Sequence, residues 1–225
     1  MVRTALDTVN LNGSIEHTYL KASCTPEDID VLCQEAMTHQ FYSVCIPPYF
    51  VFQARSILGS NSAVKICTVV GYPLGYNSTG AKVEEIKRAI MDGVDELDVV
   101  VNISAIKAGD WNFVKNDIES TTMMAHLKGK KIKVVFESSE LEADELKQLC
   151  EICKIVGVNY IVPSTGFSQL SSTPEQIEYI RSIVDPSIKI KAEGRFKTKL
   201  EAKQIISAGA NKLGTTTGIR LMSSV

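Results

Sequence analysis

Two charged residues sit where charge is expensive. Asp98 lies inside Glu-Leu-Asp-Val-Val-Val (96–101), and Lys191 lies inside Ile-Lys-Ile-Lys-Ala (188–192). A charged group among apolar residues of a strand needs a partner. Lys189 and Lys191 fall on one face of an extended segment. Asp98 and Lys191 are therefore read either as a functional charged pair lining the mouth of a pocket, or as a structural ion pair with Lys191 snorkelling from a strand end. Three glycine-rich turns offer a second chemistry: Ser164-Thr165-Gly166, Glu193-Gly194-Arg195 and Gly214-Thr215-Thr216-Thr217-Gly218. Glycine lets backbone N–H groups close on an anion, and a short helix after the last turn would add its dipole. Phosphate binding is the functional reading, and three ordinary strand-to-helix turns are the alternative.

Other reactive residue types carry less. Cys150-x-x-Cys153 falls on a helical stretch with no second Cys or His pair nearby, so it reads as helix core, and no metal site is expected. His17 reads as a hydrogen-bonded strand-end histidine with catalysis as the lesser alternative. His39 suits the C-terminal end of a helix. Trp111 and Phe113 open a helix and pack.

The elements that must position these residues form one repeating pattern. Short β-branched runs place strands near Ile15–Thr18, Val44–Ile46, Val64–Val69, Leu97–Val101, Ile132–Phe136, Tyr160–Val162, Ile188–Lys191 and Lys212–Gly214. Gly93, Gly157 and Gly209 recur at like junctions, each suited to the left-handed position after a helix. Thr25-Pro26 and Thr173-Pro174 mark helix starts, and Ser139–Glu142 and Thr198–Glu201 read as capping boxes. Val83, Ile86 and Ile90 form an apolar helix face. Eight strands alternating with helices predict a single-domain (β/α)8 TIM barrel over residues 1–225, with an open doubly wound sheet as the runner-up. No G-x-G-x-x-G follows the first strand, which weighs against dinucleotide binding.

Composition narrows the class. Lys+Arg 24 against Asp+Glu 26 gives a charge of −2, which argues against a nucleic-acid surface. Hydrophobic residues are 44% of the 225, without an apolar run long enough for a membrane span. The N-terminal MVRTALDTVNLNG lacks the apolar core of a signal peptide. The six cysteines read as reduced thiols of a cytoplasmic protein.

The blocks HTYLK (17–21), SVCIPPYF (43–50), KICTVVGYPLG (65–75), DGVDELDVVVNISAIKAGDW (92–111), KVVFES (133–138), PSTGF (163–167), IKAEGRFKT (190–198) and NKLGTTTG (211–218) resemble the 2-deoxyribose-5-phosphate aldolase family, in order over nearly the whole chain. The resemblance implies a barrel, a homodimer and a class I aldolase without metal or other cofactor. In that family a lysine amine forms a Schiff base with the substrate carbonyl. 2-Deoxy-D-ribose 5-phosphate then splits into D-glyceraldehyde 3-phosphate and acetaldehyde. A second lysine lowers the pKa of the first, and an aspartate relays protons.

Carried over by position, the aspartate is Asp98 and the second lysine is Lys191. The Schiff-base lysine should open a Lys-Thr-Ser-Thr-Gly-Phe motif, and here Val162-Pro163-Ser164-Thr165-Gly166-Phe167 stands instead. Valine has no amine, so the covalent step would be lost at a cost of many orders of magnitude. Pro163 also removes a backbone N–H. The phosphate positions implied are Gly166, Gly194, Arg195, Lys197, Gly214, Thr216 and Thr217. Arg195 replaces a glycine and either fills the phosphate cavity or clamps the phosphate. Glu193 replaces a small residue and could neutralise Arg195. Pro47 replaces a residue that is usually polar. Three functions stay open: a degenerate aldolase that still takes a sugar phosphate, an aldolase using Lys191 as its amine, and a non-enzymatic interaction scaffold.

Overall fold

The computed structural model describes residues 10–167 and 171–223. Eight parallel strands close into one barrel in chain order: β1 (Ile15–Thr18), β2 (Ser43–Ile46), β3 (Lys65–Val70), β4 (Glu96–Val100), β5 (Lys131–Val135), β6 (Tyr160–Val162), β7 (Lys189–Glu193) and β8 (Lys212–Thr215), with β8 pairing back onto β1. The helices between them are α1 (Pro26–Thr38), α2 (Val51–Leu58), α3 (Thr79–Met91), α4 (Ile103–Lys107), α5 (Trp111–His126), α6 (Ala143–Val156), α7 (Pro174–Ile183), α8 (Lys199–Ser207) and α9 (Gly218–Ser223). This is the expected (β/α)8 barrel, and the open-sheet alternative falls. No helix among the described residues is long and apolar enough to cross a membrane.

Side-chain alternation divides the strands into two functions. Outward residues such as Val44, Ile66, Leu97, Ile132, Ile161, Ile190 and Leu213 form one continuous core with the helices. Inward residues make separate groups: Cys45, Cys67 and Val69 in one, and Val100, Val135 and Val162 in another, with Tyr72 packed on both.

Local chemistry fixes the helix starts. The Thr25 hydroxyl accepts from Asp28 N–H while the Asp28 carboxylate takes Thr25 N–H at 2.9 Å, a reciprocal cap. Thr173 caps α7 by accepting from Gln176 N–H. At α8 only half of the expected box forms: Thr198 accepts from Glu201 N–H, but the Glu201 carboxylate takes Lys197 N–H at 2.8 Å. The expected start at Ser139 is corrected. Ser138–Glu140 is a short 3-10 turn, and α6 begins at Ala143 behind a Glu142–Glu145 box. Ser138 N–H donates to the Pro163 carbonyl at 2.9 Å, which ties this stretch to β6 and delays the helix.

The expected apolar face of α3 meets the core through Ile86 and Ile90, and the structure adds Lys82 and Ala89 to it. Lys82, Ile86 and Ala89 are the buried residues, while Val83 and Ile90 are half-buried. The Lys82 amine reaches Asp117 on α5 at 2.6 Å and the Val100 carbonyl at 2.8 Å, so its burial is compensated.

Candidate functional site

The strand alternation that sends Leu97 and Ile190 outward sends Asp98 and Lys191 inward. Their side chains meet in a direct ion pair. They do not line an open mouth, because Lys191 is 0% exposed and Asp98 4%. The pair belongs to a buried layer that also holds Glu16 from β1 and Lys133 from β5. Lys133 Nζ lies 2.9 Å from Asp98, 3.0 Å from Glu16, 3.0 Å from Glu96 and 3.0 Å from Cys67 Sγ. Lys191 Nζ contacts Glu16 and Asp98 and lies 2.7 Å from Glu193.

These contacts set the protonation states. Burial works against the ammonium of Lys191, but Asp98, Glu16 and Glu193 outweigh it and hold its pKa well above the ordinary lysine range. Lys133 is raised in the same way by Asp98, Cys67, Glu16 and Glu96. Burial also works against the Glu16 carboxylate, yet Lys133 and Lys191 pull it down to about 2. Glu193 differs: burial pushes it up to about 7 against the pull of Lys191.

Glu16, Cys45, Cys67 and Asp98 bring four potential metal-ligand atoms within 4.8 Å of one another. A cation there would compete with two ammonium groups already seated on the same oxygens. It would also require loss of the Cys67 proton, whose pKa burial raises well above the ordinary thiol value. The donor set fits its own lysines better than a metal.

Above this layer lies an apolar one. Val162 packs with Val100 and Val135 beneath Tyr72. The Tyr72 hydroxyl donates across the barrel to the Thr165 carbonyl at 3.2 Å. Over the ring opens a cavity of about 650 Å³ lined by β1-side residues Thr18–Lys21 and by Thr165, Gly166, Phe167, Ser171, Gly194, Arg195 and Thr216. Neither Lys191, Asp98 nor Val162 reaches it. Lys21 and Arg195 bring positive charge to this cavity, and neither forms an ion pair among the described residues.

The predicted phosphate residues divide here. Gly166, Gly194, Arg195 and Thr216 line the cavity together. Gly194 leaves no space for a side chain, since a Cβ would stand 2.9 Å from that of Ser171. Gly214 is buried under the Glu193 carboxylate, and a Cβ there would collide with it. The Thr217 hydroxyl is committed to the Phe196 carbonyl at 2.9 Å. Lys197 is exposed outside the lining. Glu193 engages Lys191 rather than Arg195, which corrects the expected neutralisation: residues two apart on a strand share a face.

Elsewhere, His17 turns outward and pairs with Glu35 at 2.7 Å. His39 caps α1 and stacks on Phe41. Cys150 and Cys153 are buried in α6. Sequence reading missed Glu16, Lys133 and Tyr72. The first two carry the same signal as Asp98, a charge on the inward face of an apolar strand. Glu137 accepts the Thr165 N–H at 2.6 Å and the Thr165 hydroxyl, fixing the turn after β6.

Comparison with known proteins agrees with this geometry. Residues 2–162 match the model of the DeoC/LacD family aldolases. The deoxyribose-phosphate aldolase of Thermococcus gammatolerans is 43% identical over 209 residues, covering 92% of this chain and 93% of that protein. A solved aldolase structure superposes with a TM-score of 0.88 at 34% identity, covering 95% of this chain and 94% of its own. The deoxyribose phosphate aldolase of Aeropyrum pernix, described as a tetramer, superposes with a TM-score of 0.86 at 25% identity, covering 94% and 88%.

Proposed function

The chain belongs to the DeoC/LacD aldolase family, and from that premise we propose that it is a deoxyribose-phosphate aldolase homologue that has lost the covalent step and keeps a sugar-phosphate site at the barrel mouth. One observation carries this reading. Val162, the position matching the family's nucleophile, lies in a dry layer with Val100, Val135 and Tyr72, while the neighbouring Lys191 is spent on three carboxylates.

Schiff-base formation needs an unprotonated amine within reach of the carbonyl. Val162 supplies none. Lys191 is wholly buried and held as an ammonium, which speaks against the reading that the amine has moved to that position. Glu193 takes part in holding it. A small residue there would remove one carboxylate and free the space over Gly214.

The mouth is a different matter. Arg195 offers a planar fork for a phosphate, and Thr216, Gly166 and Gly194 stand beside it. The clamp therefore replaces the second glycine of the family's turn, and Arg195 is read as a binder rather than a plug. Asp98 and Lys191, the carried-over catalytic positions, serve this barrel as structural charges. The reading includes one domain over residues 1–225, a homodimer and a cytoplasmic location.

The test is titration with 2-deoxyribose 5-phosphate beside a coupled cleavage assay. Saturable binding without turnover is expected. Arg195→Ala should weaken that binding by about 10–100-fold, the worth of a charge-assisted contact. Robust cleavage by the pure protein would overturn the proposal.

A further inference from the structure

The end of the barrel opposite the mouth carries its own cluster of lysines. Four strands begin on lysine: Lys65, Lys131, Lys189 and Lys212. In a parallel barrel all strand starts lie at one end. Lys131, Lys154 and Lys189 line a cavity of about 270 Å³ there, with Tyr160 and Ser187. Beside it, Lys212 Nζ stands 3.3 Å from the centre of the Tyr42 ring and donates to the Gly13 carbonyl at 2.7 Å. Lys131 donates to the hydroxyl of the same Tyr42 at 3.0 Å.

The carboxylates at this end are already taken. Glu96 is 1% exposed and serves Lys133 at 3.0 Å, Lys131 at 3.2 Å and the Tyr42 hydroxyl. Asp185 is committed to the Ser187 N–H at 2.9 Å and hydroxyl at 2.7 Å, and stands 3.9 Å from Lys154. Lys154 also lies 3.7 Å from Glu151. Among the described residues Lys189 and Lys212 meet no carboxylate within 4 Å, and the Lys189 amine has only the Tyr160 ring at 5.7 Å. Burial pushes the Lys212 amine down to about 8; Glu96 opposes this more strongly than the ammonium of Lys189 adds to it, and Glu16 more strongly than that of Lys131. Three lysines facing one cavity, with Lys189 meeting no carboxylate within 4 Å among the described residues, favour an anion there.

We propose that this closed end binds a compact, multiply charged anion of the phosphate class between Lys131, Lys154 and Lys189, with Lys212 behind them. The cavity suits inorganic phosphate, pyrophosphate or the phosphate end of a small ester. It is separate from the mouth and does not rest on the reading given for it.

Inorganic pyrophosphate is the probe, used on the full chain at constant ionic strength. Trace acetylation by acetic anhydride, mapped by peptide mass, reports each lysine. Pyrophosphate should slow acylation of Lys189 and Lys212 by about fivefold or more, saturably, while Lys21 at the mouth and Lys128 on the surface serve as reporters of binding elsewhere. Inorganic phosphate and glycerol phosphate, run as further arms, separate a free anion from an ester. Lys189→Gln, at an exposed strand start, should raise the half-saturating concentration about tenfold in a protein with an unchanged melting curve. Protection spread evenly over all lysines, protection at Lys21 alone, an unsaturable effect, or saturation unmoved by Lys189→Gln would each overturn the site.

Discussion

In the middle of the barrel, Lys133 and Lys191 are wholly buried and each ammonium meets three carboxylates, whereas at the mouth Lys21 and Arg195 line an open cavity and form no ion pair among the described residues. The same charge has opposite consequences in the two places. A buried ammonium survives only if its neighbours offset the lost hydration, and the offset removes it from chemistry. A charge left in water at a cavity wall keeps its capacity to bind. The Val100–Val135–Val162 layer and the Tyr72 ring divide these regions. An amine at position 162 would stand at that division, and the valine seals it instead.

Breaking the buried layer should give the largest effect. Lys133→Met leaves Glu16, Glu96 and Asp98 with too little positive charge and should cost about 3–5 kcal/mol of stability, read by denaturant unfolding. A loss well under about 1 kcal/mol would mean that water or a rearranged partner already serves those oxygens.

A smaller effect is expected at Glu193, where the two regions touch. Its folded-state value of about 7 exceeds the ordinary 4.5. Between those values the folded chain keeps a proton that the unfolded chain has released. The contribution is therefore full below about 4.5 and is lost as pH rises through about 7. Glu193→Gln should flatten that decline in a series of melting curves. Glu16, drawn down to about 2, acts with the opposite sign: its contribution is present above 4.5 and disappears as pH falls toward 2.

Tyr72→Phe should have the smallest effect. It removes only the hydroxyl bond to the Thr165 carbonyl, worth about 0.5–1.5 kcal/mol, and leaves the ring over Val162. A larger loss, or new exposure of Lys191 to amine reagents, would show that the hydroxyl rather than the ring closes the barrel.

Much of this was legible in the residues. Every strand lies within a residue or two of its expected place, because β-branched runs and glycine-marked junctions are local signals. Asp98 and Lys191 were paired for the right reason, the cost of charge in a strand, but their depth was misjudged. Depth depends on Tyr72, whose position across the barrel no local pattern encodes. The burial of Lys82 on α3 has no local signal, since its partner Asp117 lies 35 residues away in sequence. Glu16 and Lys133 were visible by the same rule that found Asp98. The Glu193 partner followed from strand alternation and was missed because Arg195, close in sequence, drew the pairing.

Borohydride trapping tests the central claim most directly. The protein is incubated with 2-deoxyribose 5-phosphate, reduced, and read by intact mass and peptide mapping, with a lysine-bearing family aldolase trapped in parallel. The account predicts no stoichiometric adduct on this chain beside full trapping of the relative. A stoichiometric adduct on Lys191 would contradict it, because the amine held by Glu16, Asp98 and Glu193 would then be free to react.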